Sequence, residues 1–556
     1  MIEHSQDIPD ASTLECDICV VGAGAAGISL ALTLARRGHR VLLLEAGGKK
    51  RAGHAQALYR GDVDDGAEGR RHLPLDQARY RQLGGTTSLW GGRCIPYDGI
   101  DLAHRPWVPH SGWPFAPEVL DPYYESAHAW LQCGDAAYRV DTALGADAGP
   151  MIDGFVDGAI DTGTLERWSP PTRFGDVYRD ELAASPQVRV ILGAVVTEIH
   201  TDDAGGRVTS LTVRRPVADG KPAGTGFRVT PRRVVLTGGG LESTRLLMCS
   251  RQGGRAGIGD ASGWLGRGYM SHIHGVIARV QFRTPRPVVS AYERDAAGVF
   301  VRRRLWISEA AQREHELLNI YLLLDRPLLD DPTHGSALLS AAFLAKKLFQ
   351  KRRDNDAVGS GKYALYWRHL RNVLSGSPEV VSILPGFARN RFLQKRRLPS
   401  LVPDGRDNRF HLFFQSEQVP HPDARVRLLP RVDALGMPRL ALDFRVQPQD
   451  IDSVWRAHEL LASELQRQDK GQLEFLPDAR ERLAESAAVL GHHIGTTRMS
   501  ADPAKGVVDA DLRVHGVTNL FIASASSLPT SSHANPTLTV VALALRLADA
   551  LDHGDD

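Results

Sequence analysis

Two periods of apolar spacing alternate along the chain. CDICVV, residues 16 to 21, is a short apolar run that predicts a buried strand. ISLALTLARR follows with helical spacing and predicts a helix that stops at Gly38. VLLLEAGG predicts a second buried strand, ending in Glu45. Strands return in PQVRVILGAVVTEI, around residues 186 to 199. RRVVLTGGGLESTRLLM predicts a strand to Leu236, a turn at Gly238, Gly239 and Gly240, and a helix carrying Arg245. Near the C-terminus LFIAS predicts a strand. A small-residue loop follows, then a long helix opening at Asn535-Pro536-Thr537, where asparagine suits the cap and proline the first turn. Further strands are expected near 277 to 283 and 411 to 415, and no internal repeat is visible. Strand–turn–helix units that the chain leaves and re-enters predict an α/β architecture, α+β overall.

Composition narrows the function classes. The 556 residues exceed one ordinary core, so two or more domains are expected. The chain is 42% hydrophobic and 24% charged, as an ordinary globular protein is, and a net charge of +2 gives no reason to expect nucleic acid. Five cysteines do not make a disulfide framework. Cys16 and Cys19 have C-x-x-C spacing but fall in the apolar strand, so they read as small core residues, and no metal site is expected. The N-terminus MIEHSQDIPDASTLE has no apolar h-region, and LTVVALALRLADAL is broken by Arg546 and Asp549. A cytoplasmic location is the expectation; export with a signal-bearing partner subunit stays open.

The first sixty residues carry a dinucleotide site. Gly22, Gly24 and Gly27 form G-x-G-x-x-G between a strand and a helix. Gly22 allows the tight turn, Gly24 the approach of a pyrophosphate, and Gly27 close helix–strand packing. Glu45 stands 18 residues beyond Gly27, where an acid can accept hydrogen bonds from a ribose diol. This unit does not separate NAD from FAD. RQLGGTTSLWGG, residues 81 to 92, holds four glycines and three hydroxyl residues around Leu89 and Trp90, and reads as backbone laid against a flat or charged ligand. LGHHIGTTRMS raises a different question. Neighbouring side chains on an extended segment point to opposite faces, so at most one of His492 and His493 looks into a given site.

Together the motifs GAGAAG with Glu45, LGGTTSLWGG, SGWPFAPEVLDPYY, SPPTRFG, VVLTGGGLESTRLL, LGRGYMSH, FFQSEQVPHPDARVRL, HHIGTTRM and ANPTLTVVALALRLAD span residues 16 to 549. They resemble the glucose–methanol–choline (GMC) oxidoreductases, and within them the branch of pyranose 2-oxidase and bacterial glycoside 3-dehydrogenases. The resemblance implies a discontinuous Rossmann-like FAD-binding domain at 14–105, 185–275 and 485–556. It also implies a bridging or cap segment at 106–184, and a substrate domain at 276–484 with a mostly antiparallel sheet and helices. The cofactor residues implied are Gly22, Gly24, Ala25, Ala26, Gly27, Glu45 and Ala46. With them go Gly84, Gly85, Thr86, Thr87, Ser88, Trp90 and Gly91 of the glycine-rich loop, then Val196 and Gly238. Ser524, Ala525, Asn535, Pro536 and Thr537 complete the set. Leu89 stands where pyranose 2-oxidase carries a histidine bonded to the flavin, so FAD is expected to be held non-covalently.

The family places its catalytic histidine six positions before the arginine of HHIGTTRM, at His492, and its partner at Asn535. Neutral imidazole can take the hydroxyl proton while hydride passes to flavin N5, and an asparagine amide can donate to the developing alkoxide. His493 is expected to point away, with a substrate contact as the alternative; His533 either lines the substrate pocket or faces solvent. The implied reaction is oxidation of a secondary hydroxyl of a sugar or glycoside to a ketone, with oxygen, a quinone or a carrier protein as electron acceptor. A flavin-containing lyase resembling hydroxynitrile lyase and an oxidoreductase of non-sugar alcohols are the alternatives. Residues 341 to 397 hold 13 Lys or Arg against 3 Asp or Glu, mixed with aromatics such as Phe343, Tyr366 and Trp367. That insert reads as a solvated lid or as a weak contact with anionic membrane.

Overall fold

The computed structural model describes the chain apart from residues 67–70, 217–224, 326–331, 333–335, 351–361, 401–407, 490, 554–556 and most of 377–395. The apolar runs assemble into a sheet whose centre is parallel. Its order is Ile2–His4, Val188–Leu192, Val41–Glu45, Thr13–Val21, Phe227–Leu236, then the antiparallel strands Val208–Arg214 and Val195–Thr201. Leu520–Ile522 pairs in parallel with the end of Phe227–Leu236. Val21 lies opposite Leu44, Leu236 opposite Val21, and Ile522 opposite Leu236. Four strands therefore end at one edge, the place where open α/β sheets bind ligands.

The helix Ala25–Arg36 leaves the first of these strands and packs on the C-terminal helix Thr537–His553. Both are apolar on most faces because both are sandwiched between sheet and neighbours. The helix Gly240–Cys249 leaves the strand Phe227–Leu236 at the same edge.

A second sheet is antiparallel throughout. Its order is Gly471–Phe475, Ile273–Phe282, Arg409–Ser416, Ile320–Asp325, Phe300–Ile307, Ile160–Trp168 and Arg93–Cys94. The strands expected near 277 to 283 and 411 to 415 are the adjacent pair Ile273–Phe282 and Arg409–Ser416. The helix Pro448–Arg467 covers this sheet through Val454, Ala457, Leu461 and Leu465, a stripe at helical spacing, while its other face is polar. Ile160–Trp168 comes from the segment read as a bridge, yet it is an integral strand of the second sheet. A third, small sheet joins Arg425–Val432, Pro438–Asp443 and Asp62–Asp64.

Of the basic insert, the helices Ala337–Gln350 and Lys362–Ser375 are described, and the stretches of 341–397 named above lie outside the described residues. Trp367, Leu370 and Leu374 are exposed along one face of the second helix. Among the described residues no helix is long and apolar enough to cross a membrane.

Candidate active site

A cavity of about 270 Å³ opens at the shared strand edge. Its floor is the glycine turn. Gly22 has φ +112°, and a side chain there would meet the backbone of Thr237 and Gly238 at 2.8 Å. A Cβ on Gly27 would come within 1.9 Å of the Gly22 carbonyl, so glycine is what lets the helix sit against the turn. Gly24 differs: a Cβ there would meet nothing within 4 Å, because it borders the cavity. No side chain caps the helix that starts at Ala25, and its first turn holds no acid. Its amides remain for an anion, which fits a dinucleotide pyrophosphate.

Glu45 is 5% exposed and closes the turn from the neighbouring strand. Its Oε2 accepts from Ala23 N at 2.9 Å and its Oε1 from Gly47 N at 2.7 Å. Burial pushes its pKa up, while the two amides and Arg81 pull the other way. Each oxygen keeps a lone pair for a ribose hydroxyl.

The glycine-rich loop lies directly on this turn. Gly84 N donates to Ala23 O at 2.7 Å, and a Cβ on Gly85 would approach Gly24 Cα at 3.2 Å. Gly85, Thr86, Thr87 and Trp90 line the cavity. So do Gly22, Ala25, Ala26, Ala46, Val196, Gly238, Ser524, Ala525, Pro536 and Thr537. Gly27, Gly84, Ser88, Gly91 and Asn535 do not line it. Gly27 and Gly84 serve packing, the latter against Gly175, and the Ser88 hydroxyl accepts from Gln82 Nε2.

Sequence reasoning missed a charged wall of the same cavity. Arg79 and Arg81 both pair with Glu242 and both lie over the Tyr59 ring, at 4.0 and 4.2 Å. Burial pushes the Glu242 carboxyl up, but Arg81, Arg245 and Arg79 outweigh it and hold the group at about 2. The available signal was the R-x-R alternation just before the loop.

The two neighbouring histidines enter separate networks. His493 is 8% exposed and lines the cavity, contrary to the expectation that it points away. Gly240, whose Cβ would meet the His493 carbonyl at 2.3 Å, makes room for it at a helix start. His493 Nδ1 lies 2.9 Å from Tyr269 Oη, which lies 2.8 Å from His72 Nε2; His72 Nδ1 donates to Leu73 O at 2.7 Å. His493 Nε2 is buried without a hydrogen bond.

His492 is half-buried and does not line that cavity. Its Nδ1 is 2.7 Å from His272 Nδ1, with the rings perpendicular. Burial, with His272, Arg93 and His274, drives the His492 pKa well below its ordinary value, so the ring is neutral at pH 7. Arg93 is half-buried, pairs with Glu166, and lies 4.5 Å over the Tyr321 ring.

Asn535 is also half-buried, and its Oδ1 accepts from Gln415 Nε2 at 3.1 Å. His272, which holds His492, also reaches Ser531 O, and Gln415, which holds Asn535, also reaches His533 O, so both anchors grip the same 531–535 loop. His533 is fully buried and faces neither solvent nor the cavity. Its Nε2 is 2.8 Å from Asp98 Oδ2, Arg304 reaches it at 3.2 Å, and Tyr321 packs edge-on at 5.1 Å. Among the described residues no cluster could hold a metal ion.

The comparisons agree with this geometry. Residues 17–371 match the family described as FAD dependent oxidoreductase, and residues 420–544 match the family described as GMC oxidoreductase. Paromamine 6'-oxidase of Streptomyces fradiae is 26% identical over 96% of this chain and 91% of that protein. C-glycoside 3-oxidase of Arthrobacter globiformis is 36% identical over 115 residues, 20% of this chain and 21% of that one. A crystal structure of formate oxidase has the same fold, with a TM-score of 0.53 at 16% identity and 98% of each chain covered. A glycine turn shaped for a dinucleotide, these two family matches and the shared fold identify the chain as an FAD-dependent oxidoreductase of the GMC family.

Proposed function

We propose that the chain oxidises a secondary hydroxyl of a sugar or glycoside to a ketone, with His492 as general base and Asn535 holding the substrate oxygen. The observation that carries the reading is that a neutral imidazole and an oriented carboxamide are held by two residues, His272 and Gln415, that grip the same 531–535 loop. Gln415 occupies the Asn535 oxygen, which leaves the Asn535 amide hydrogens for the substrate oxygen. Burial, with His272, Arg93 and His274 beside the ring, keeps His492 unprotonated until it receives the hydroxyl proton. When bound, FAD supplies the acceptor for the substrate hydride.

Gly22, Gly24 and Ala25 would hold the pyrophosphate, Glu45 a ribose, and the Ser524–Ala525 and Pro536–Thr537 segments the far end of the cavity. FAD is held without a covalent bond, since Leu89 offers no nucleophile. Two relatives, named for a C-glycoside and for paromamine, support the sugar side of the reading. Electrons then leave to oxygen, a quinone or a carrier protein, which reoxidation rates separate. His492→Ala is expected to keep FAD bound and slow flavin reduction by at least ~100-fold in anaerobic stopped-flow with a panel of glycosides. Reduction near the wild-type rate would remove His492 from the role.

A further inference from the structure

We infer that His272 is the positioning residue that fixes where His492 carries its proton, so that His492 turns a bare Nε2 toward the substrate. This rests on the reading of His492 as the base. The protons follow from the one partner in the chain whose role is unambiguous. Ser531 O is a backbone carbonyl and can only accept, and His272 Nε2 lies 2.9 Å from it. His272 Nε2 therefore carries a hydrogen and donates. His272 is fully buried, and burial pushes its pKa down to about 3, so the ring is neutral and holds only that one hydrogen. Its Nδ1 is then a lone pair.

His492 Nδ1 sits 2.7 Å from that lone pair. Two lone pairs would repel at this distance, so His492 Nδ1 must be the donor. A neutral His492 has no second hydrogen, and its Nε2 is left as an acceptor. Among the described residues His492 Nε2 makes no hydrogen bond, and the ring is only half-buried. The relay thus runs from His492 Nδ1–H to His272 Nδ1, and from His272 Nε2–H to Ser531 O, in the loop that leads to Asn535. An unconstrained histidine favours the opposite tautomer, with its hydrogen on Nε2, which cannot take a proton there.

Histidine does here what a carboxylate does in many acid–base pairs, without placing a negative charge beside the ring. When His492 gains a second proton on Nε2, its Nδ1–H still donates to His272, now as a charge-assisted bond. Burial, the repulsion that a charged His272 would exert, Arg93 and His274 all favour the neutral form of His492. Loss of His272 would therefore release the tautomer.

Neutron diffraction from deuterium-exchanged crystals of the FAD-loaded protein tests the relay directly. The expected density has deuterium on His272 Nε2 and His492 Nδ1 and none on His492 Nε2; deuterium on His492 Nε2 overturns the proposal. A kinetic arm uses His272→Phe, which keeps a ring but removes the acceptor, and His272→Asn, whose Oδ1 stands near the Nδ1 position. The Phe variant is expected to bind FAD and substrate as before and to lose about 100-fold in flavin reduction. The Asn variant is expected to recover part of the rate. A slow His492→Ala with a fast His272→Phe sinks the relay alone. Fast reduction in both sinks the base itself. Should His272→Phe fail to hold FAD, the Asn variant and the neutron density decide.

Discussion

Leu89 stands in the middle of the glycine-rich loop with 46% of its surface exposed, beside the cavity-lining Trp90. A hydrocarbon side chain cannot form a bond to the flavin methyl group, whatever its distance. Acid precipitation of the holoprotein should therefore leave the yellow colour in the supernatant; colour retained in the pellet would show a covalent link. At this scale the sequence was informative only where chemistry and spacing are local. The glycine turn, Glu45 and the loop at 81 to 92 lie within one stretch of chain, and their spacing alone suggests a ligand. His272, Tyr269, His72 and Gln415 carry no such signal. His272 reaches His492 across 220 positions and Tyr269 reaches His493 across 224, so only the folded sheets bring them together. The alternation rule did foresee that His492 and His493 would part company. It could not tell that the second would border the dinucleotide cavity, because that depends on Gly240 making room for its carbonyl.

Elements show why two glycines three residues apart have different tasks. Gly27→Ala would drive a methyl group against the Gly22 carbonyl, which cannot move without opening the turn. The expected cost is at least ~3 kcal/mol, at the upper end for overpacking, seen as a lowered denaturant midpoint even without cofactor. Gly24→Val should leave that midpoint within ~1 kcal/mol, since its Cβ meets open space and its φ of −83° suits any residue. It should instead weaken FAD binding, measured by titrating the apoprotein. Equal effects of the two changes on stability would contradict this division. The parallel strands were legible because they are apolar on both faces. Ile160–Trp168 was not, because it buries Thr162, Thr164, Glu166 and Arg167. Its neighbour Phe300–Ile307 likewise buries Arg302, Arg303 and Arg304. Those guanidinium groups are satisfied by Ser290 O, Glu293 and Thr164, and such partners cannot be read from a hydrophobic period.

Across the whole molecule, the parallel sheet is stitched from distant stretches of chain. Ile2–His4 pairs with Val188–Leu192, and Phe227–Leu236 lies between Thr13–Val21 and Leu520–Ile522. Ser524, Ala525, Pro536 and Thr537, which complete the cavity, follow that last strand. During synthesis the glycine turn emerges from the ribosome almost five hundred residues before its closing wall. The cavity is therefore complete only late in synthesis, and flavin capture is expected to wait for it. Ribosome-stalled chains ending at residue 519 should retain no FAD, whereas released full-length chains should; yellow stalled complexes would mean that the chain grips the cofactor without its closing wall. A shortage of flavin during growth would then leave complete but empty protein, ready to be loaded afterwards.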